Sequence, residues 1–286
     1  LLHHFGIAPA EGRGQAQAWA QLRGHRVVEV DSQFQWQDLL LSGAPLADGK
    51  LPQLRLEKLR GRTRWQAVDG GWRLDAPQLR ITDARGEQAL DGLVVAGGER
   101  YALLARELDA SALLAVAALA DVLPESLRAW MNQAAPQARL TGVEVVGRRG
   151  GPMHAQGRLE RIAFAPVGDA PGLDGLAGEF EGDGDGWRLA LDPRSALRFD
   201  WPSGFGVVHE LAMDGQLLAW RKGAGWEVGT AALHVDGGDY AADLRGGLWF
   251  QGDGTRPWIG IAAEIGDTPV PAAKKFWIHH QMPEAA

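Results

Sequence analysis

Residues 61–74 read GRTRWQAVDGGWRL and contain the pattern that decides the fold. Trp65 stands between an arginine and a glutamine, and after a glycine turn Trp72 and Leu74 stand on either side of Arg73. Successive side chains of an extended chain point to opposite faces, so this spacing separates apolar from charged residues. The stretch therefore predicts a β-hairpin from an antiparallel sheet with one polar face.

The same alternation of apolar and polar residues recurs through most of the chain, between glycine-rich turns. Further examples are residues 187–191, 197–201, 207–213 and 226–228. The 39 glycines and 15 prolines among 286 residues fit many turns between short strands better than a helical bundle. We therefore predict a mainly β protein built on an antiparallel sheet.

One stretch, residues 110–133, departs from this alternation. Leu113 and Val116 have the spacing of one face of a helix, and Pro124 divides the stretch so that a second short helix begins there. A comparable apolar segment comes near the end of the chain. The sequence predicts short helices near residues 110–133 and 270–282.

Composition excludes several classes of function. The formal charge of −7 argues against a nucleic-acid surface, which normally carries a basic excess. The absence of cysteine excludes disulfides, thiolate metal sites and cysteine nucleophiles. No segment approaches the roughly 18 apolar residues that span a bilayer as a helix, and the chain starts at Leu1 without a signal sequence. We expect any membrane anchor to lie outside this chain.

An internal repeat connects the hairpin at Trp72 with a later one. The pairs of landmarks that share one offset of 154 residues are Gly61 and Gly215, Trp72 and Trp226, and Leu79 and Leu233. We interpret residues 1–135 as a first repeat unit, strands followed by a helical hairpin, and residues 136–286 as a second, truncated in its helical motif. We expect one continuous, elongated sheet rather than two independent domains.

Short apolar and glycine patterns add a family resemblance. The segments that carry it are Leu123–Trp130 with Pro136 and Leu140–Gly142, Phe164–Pro166 with Pro171–Gly178, and Gly215–Trp220 with Gly225 and Trp226. Together they resemble the AsmA-like superfamily, and within it the large YhdP-type proteins of Gram-negative envelopes. The likeness extends from about Leu51 to the end of the chain.

This resemblance implies a long, curved and twisted antiparallel sheet that forms an open apolar groove, folded like a taco. It implies a periplasmic, bridge-like protein for lipid transport between the inner and outer membranes, anchored by an N-terminal helix that this chain lacks. The implied partners are phospholipid acyl chains and, through parts outside this chain, components of both membranes. The family has no catalytic motif to transfer.

A groove of this kind has a physical basis in the alternation. A sheet with one continuous apolar face must cover it, close on itself or hold an apolar ligand. We expect the Trp/Leu face to line the groove. The candidate lining residues are Trp65, Trp72, Leu74, Leu79, Ile81, Trp187, Leu189, Leu191, Phe199, Leu211, Met213, Leu218, Trp220, Trp226, Val228, Leu233 and Val235.

Other interpretations of the same residues lead elsewhere. The sheet could be a structural or adhesive β-repeat scaffold with a closed core and partners at its edge strands, or its tryptophans a platform for carbohydrate. The acidic stretch at residues 179–186 lacks the downstream glutamate of a calcium loop and predicts a solvated turn. The pairs His3–His4 and His279–His280 have no third ligand nearby. We predict no metal, no cofactor and no enzymatic activity.

Overall fold

The computed structural model describes residues 5–253, 255 and 257–276. The fold is mainly β, with 67% strand and 9% helix, which confirms the predicted class. In the described residues the strands are β1 Ala8–Arg23, β2 Arg26–Ser42, β3 Gln53–Val68, β4 Gly71–Asp83, β5 Gly86–Gly98, β6 Arg100–Asp109, β7 Gln137–Arg148, β8 Met153–Phe164, β9 Gly172–Asp183, β10 Gly186–Leu191, β11 Ala196–Asp200, β12 Val208–Lys222, β13 Gly225–Asp236, β14 Ala241–Phe250 and β15 Trp258–Ile265. The helices are α1 Ser111–Ala117, α2 Glu125–Ala134 and α3 Val270–Ala273, and a 3₁₀ turn follows at Lys274–Phe276.

The strands are antiparallel, and strands that follow each other in the sequence mostly pair with each other. Strands β1 to β7 pair in sequence order, as do β8, β9, β10, β12, β13, β14 and β15, and the short β11 pairs with both β9 and β12. Several neighbouring strands are joined by tight turns, whereas α1 and α2 lie between β6 and β7. Between Arg23 and Arg26, which pair directly, Gly24 and His25 have φ of 55° and 60°, the left-handed pair that a two-residue type I′ hairpin requires.

The chain divides into two compact units, Leu1–Met153 and His154–Ala286. Each contains a four-strand meander followed by a short helix: β3–β6 with α1, and β12–β15 with α3. The offset of 154 residues is kept in the hairpin turns, because Val68 pairs with Gly71 in the first unit and Lys222 with Gly225 in the second. The first hairpins of the two meanders therefore have the same register, and the two meanders have the same order of elements.

The helices predicted near residues 110–133 are α1 and α2, separated by the turn before Pro124. Pro124 precedes the first residue of α2 and has an extended ψ of 139°, so the proline starts the second helix as expected. The helix predicted near residues 270–282 is present as α3 and the 3₁₀ turn, and residues 277–282 lie outside the described residues.

The core of the first unit lies where α1 and the turn after it pack on the sheet. Leu90 is 0% exposed and Leu119 1% exposed, and they share one buried cluster with Ile81, Leu108 and Ala112. The buried Gln88 fixes the helix from the sheet side, since its Oε1 accepts a 2.6 Å hydrogen bond from the N–H of Ala112. Helix and strands thus form one core at this end of the sheet.

The second unit has a smaller core of the same kind. Leu191, Leu233 and Val235 are buried together. At one end an aromatic cluster covers it. His209 is 5% exposed and its Nδ1 lies 2.8 Å from the Tyr240 hydroxyl, and the ring of Phe276 packs at a tilt against His209 and edge-to-face against Tyr240. The 3₁₀ turn that carries Phe276 therefore covers this end of the second unit.

Candidate functional site

One cross-strand row defines the apolar face of the first unit. Residues directly opposite each other in an antiparallel ladder project to the same side of the sheet. Direct pairing links one residue from each of the strands β2 to β7: Val30, Trp65, Leu74, Val95, Leu103 and Val145. We call these six residues the apolar row. All six side chains are half-buried and none carries a charge.

A second row beside the apolar row belongs to the same face and lies nearer the helices. Gly61 pairs with Leu79, Leu79 with Leu90, and Leu90 with Leu108. Leu59 pairs with Ile81 in the row after that. The predicted residues Trp65, Trp72, Leu74, Leu79 and Ile81 all lie on this one face.

The opposite face of the first unit is charged. Arg64 and Asp31 form a 3.0 Å ion pair, and Arg80 and Asp91 a 2.5 Å pair. The hydrogen bond from Arg80 lowers the pKa of Asp91, so its carboxylate stays ionised. A depression of about 750 Å³ on this face is lined largely by glutamine and arginine side chains of β1 to β4. The first unit therefore presents one apolar face and one face with many ion pairs, which also carries Trp19, Val94 and Leu104.

The two ends of the apolar face differ in what covers them. At the helical end Ile81, Leu90 and Leu108 pack under α1 and the turn after it, with at most 9% exposure. We call these three residues the covered end. Farther along the same strands, Trp72 is 37% exposed, and Trp65 and Leu74 are half-buried. The apolar row lies in this more exposed part, and two of its members, Leu103 and Val145, pack against the buried cluster.

The second unit repeats the apolar face. Trp187 pairs with Ala219, Ala219 with Val228, Val228 with Leu248, and Leu248 with Ile259. The predicted residues on this face of the second unit are Trp187, Leu189, Leu191, Phe199, Leu211, Met213, Trp226, Val228, Leu233 and Val235. Leu191, Leu233 and Val235 are buried, and the others are half-buried.

Leu218 and Trp220 lie on the opposite face of the sheet from the other predicted residues. Leu218 pairs with Arg188, and Trp220 pairs with Glu227. The offset of 154 residues explains this placement, because it carries Trp65 onto Ala219 and carries Gln66 onto Trp220. Trp220 is one residue away from the repeat position of Trp65, and a shift of one residue in a strand reverses the face.

Sequence reasoning missed several members of the apolar face. Val30 and Phe34 on β2 belong to it, as do Leu103 on β6 and Val145 on β7. The sequence of β2 contains the pattern that predicts this face, because Val30, Ser32, Phe34 and Trp36 alternate with more polar residues. In the second unit, an exact use of the 154-residue offset would have selected Leu217 and Ala219 in place of Leu218 and Trp220.

The acidic stretch at residues 179–186 forms a hairpin turn between β9 and β10. Asp183 Oδ1 accepts hydrogen bonds from the N–H groups of Asp185 and Gly186, at 2.8 and 2.9 Å. These bonds lower the pKa of Asp183 and leave its carboxylate bound to its own turn. The pairs His3–His4 and His279–His280 lie outside the described residues.

Two searches of the described part of the chain bear on the function. No group of three or more histidine, aspartate or glutamate side chains there is arranged to hold a metal ion. No helix there is long and apolar enough to cross a membrane.

Comparison with known proteins gives one match. The model of the family described as YhdP protein matches residues 3–286, nearly the whole chain. This match confirms the resemblance seen in the sequence. No curated protein and no solved structure matches the chain.

Proposed function

Because the chain belongs to the YhdP family, we propose that it is a section of a bridge-like protein that carries phospholipid acyl chains along its apolar face. The section lies in the periplasm of a Gram-negative envelope, between the inner and outer membranes, and catalyses no reaction. Parts of the protein outside this chain anchor it to the inner membrane and contact components of both membranes.

The apolar row carries this proposal. Six adjacent strands each contribute one uncharged apolar side chain to a single line across the sheet. The row leaves apolar surface partly exposed where a globular core would cover it. The other face carries ion pairs such as Arg64–Asp31. An acyl chain needs apolar surface and no particular hydrogen bond, and the row offers that combination.

The magnitudes suit a carrier. Each methylene moved out of water contributes about 0.8 kcal/mol, so ten methylenes contribute about 8 kcal/mol before any cost. Association itself costs on the order of 4–15 kcal/mol in lost motion. Binding along such a face is therefore moderate, and because no single contact dominates, a chain is free to slide from one row to the next.

The alternative of a closed structural scaffold accounts well for the covered end but less well for the apolar row. A scaffold buries its apolar side chains against its own elements, as Leu90 is buried under α1. Trp65 and Leu74 remain half-buried, and their neighbours along the strand are polar or charged. This partial exposure favours a face that meets an external apolar ligand.

The test compares two substitutions in one strand. Leu74→Asp places a carboxylate in the apolar row, and Gln78→Asp places the same group on the polar face of β4. A carboxylate against an acyl chain is strongly unfavourable unless it is protonated. Protein purified without detergent is analysed by native mass spectrometry for bound phospholipid, and urea unfolding checks that both variants fold.

We expect phospholipid on the wild-type protein and on Gln78→Asp, and at least about tenfold less on Leu74→Asp, the effect of about 1.4 kcal/mol. Lipid-free wild-type protein would contradict the proposal. Equal lipid on the two folded variants would contradict it as well, since the bound lipid would then not lie on the apolar row.

A further inference from the structure

A line of aromatic side chains crosses the polar face of the second unit. Direct pairing places Trp220, Glu227, Trp249 and Trp258 side by side on β12 to β15. Trp220 is 39% exposed and Trp258 69% exposed. The apolar face on the other side of these strands does not account for this line, because the three tryptophans project away from it.

The tryptophans border a cleft of about 410 Å³. Its floor is the neighbouring cross-strand line, where Gly229, Gly247 and Gly260 pair directly and leave the backbone bare. Glycine inside a strand weakens the sheet and often marks a place where a ligand approaches the backbone closely. A Cβ added to Gly260 would meet no atom within 4 Å, so the floor is open at that point.

The cleft extends past Trp220 on its other side. A second depression of about 460 Å³ shares Leu218 and Trp220 with the first. It is bordered by Arg188, which forms a 3.0 Å ion pair with Glu181. The two depressions together form an elongated track with an exposed tryptophan in the middle, the arrangement that suits a chain of similar flat units.

Charged side chains along the track are paired with each other. Lys222 donates a 2.7 Å hydrogen bond to Glu227, and its ammonium lies 4.6 Å from the centre of the Trp249 ring. The indole N–H of Trp249 is buried and has no hydrogen-bond partner among the described residues. The track thus combines aromatic faces with many donors and acceptors and carries no large excess of charge.

We propose that this track binds a neutral pyranose oligosaccharide. One face of a pyranose ring consists of C–H groups with small positive partial charges, which stack on the negative face of an aromatic ring. The hydroxyl groups at the ring edge form hydrogen bonds with carboxylates, ammonium groups and guanidinium groups. Trp220 and Trp258 provide the stacking faces, and Glu227, Lys222 and Arg188 provide the polar edge.

Other ligand classes fit the same residues less well. An acyl chain would bury the Lys222–Glu227 and Arg188–Glu181 pairs without replacing their contact with water. Single-stranded nucleic acid stacks on tryptophan but needs a basic groove, and the cations here are matched by carboxylates. A quaternary ammonium group would compete with Lys222, which already occupies the face of Trp249.

In the experiment the whole 286-residue chain is titrated with chitotetraose, cellotetraose and maltotetraose. Binding is measured by calorimetry and by tryptophan fluorescence. Trp220→Ala removes a stacking face, and Gly260→Val fills the open floor without straining the backbone. Trp226→Ala is the matched control, because Trp226 lies on the opposite face of the same hairpin. Circular dichroism and urea unfolding verify each variant.

We expect at least one tetrasaccharide to bind, and Trp220→Ala and Gly260→Val to weaken its binding by about tenfold, the contribution of one aromatic contact. Trp226→Ala should leave the affinity within about twofold of the wild type. If Trp220→Ala does not fold, Gly260→Val alone decides. The inference is overturned if none of the three sugars binds at about 10 mM, if Trp226→Ala weakens binding as much as the cleft variants, or if phosphocholine binds the cleft and the sugars do not.

Discussion

The covered end and the apolar row of the first unit belong to one face of one set of strands, yet they have different surroundings. Leu90 lies on β5 in the buried cluster that includes Ala112 of α1 and is 0% exposed, whereas Val95 on the same strand is half-buried. Both positions carry an aliphatic side chain on the same face of the sheet. The difference shows that the alternation creates an apolar face, and that a separate element decides which part of that face becomes core.

This division assigns stability to one end and ligand binding to the other. Apolar surface removed from water contributes roughly 25 cal/mol per Å², so the side chains under the helix stabilise the fold most. The half-buried side chains of the apolar row contribute less to folding and keep apolar area available to a ligand. Substitutions at the two ends should therefore have different consequences.

The largest expected effect on stability is at the covered end. Leu90→Ala should lower the free energy of unfolding by about 2–5 kcal/mol, because it removes buried methyl groups and leaves a cavity under α1. Leu74→Ala, in the apolar row, should lower it by about 1 kcal/mol or less. Urea unfolding followed by circular dichroism measures both values.

Leu74→Ala serves as the matched control, since it deletes the same atoms from the next strand of the same face. If the two leucines proved equally important for stability, the separation into a structural end and a ligand-binding end would be lost. A cost below about 1 kcal/mol for Leu90→Ala would show that α1 does not form a core with the sheet.

A smaller effect is expected at the end of the second unit where Phe276, in the 3₁₀ turn, packs over His209. Burial lowers the pKa of His209, whose neighbours include the Lys275–Asp239 ion pair. The neutral imidazole is favoured in the fold, so unfolding takes up a proton in mild acid. The free energy of unfolding should fall as the pH drops below about 6.5, by at most about 1.4 kcal/mol per pH unit, and level off below the folded-state pKa.

The matched variant is His209→Gln, which keeps a polar side chain but does not titrate. Subtracting its pH profile from that of the wild type removes the contributions of other groups, including the exposed His234, whose pKa is raised by Asp243. A difference profile that is flat between pH 7 and pH 5 would mean that His209 is not held neutral by burial.

Much of the fold follows from the sequence because it depends on local rules. Alternation around Trp65 and Trp72 predicts the hairpin of β3 and β4, and Pro124 predicts the start of α2. Which part of the apolar face becomes buried does not follow, because Leu90 is buried with Ala112 of α1, an element that comes later in the sequence. No local pattern encodes that contact.

The candidate site shows the same limit at the level of single residues. Trp226 lies on the apolar face, and its offset from Trp72 is 154 residues. The repeat also suggests Trp220 as the equivalent of Trp65, but the two are 155 residues apart, and the structure places Trp220 on the polar face beside Glu227. The strands β12 and β13 shift register between Gly215 and Leu218, and β3 and β4 shift at the equivalent place between Arg62 and Arg64. A bulge changes which residues share a face, so only an exact alignment of the two hairpins assigns each residue to the correct face.

The most direct test of the central claim places a photocrosslinking amino acid at neighbouring positions on the two faces. The positions are Trp65 and Ala219 on the apolar face, and Gln66 and Trp220 on the polar face. Cells labelled with radioactive phosphate are irradiated, and the purified protein is scored for attached phospholipid. The account predicts strong labelling at Trp65 and Ala219 and background labelling at Gln66 and Trp220. Equal labelling of both faces would contradict it. Stronger labelling at position 220 than at position 219 would contradict it as well.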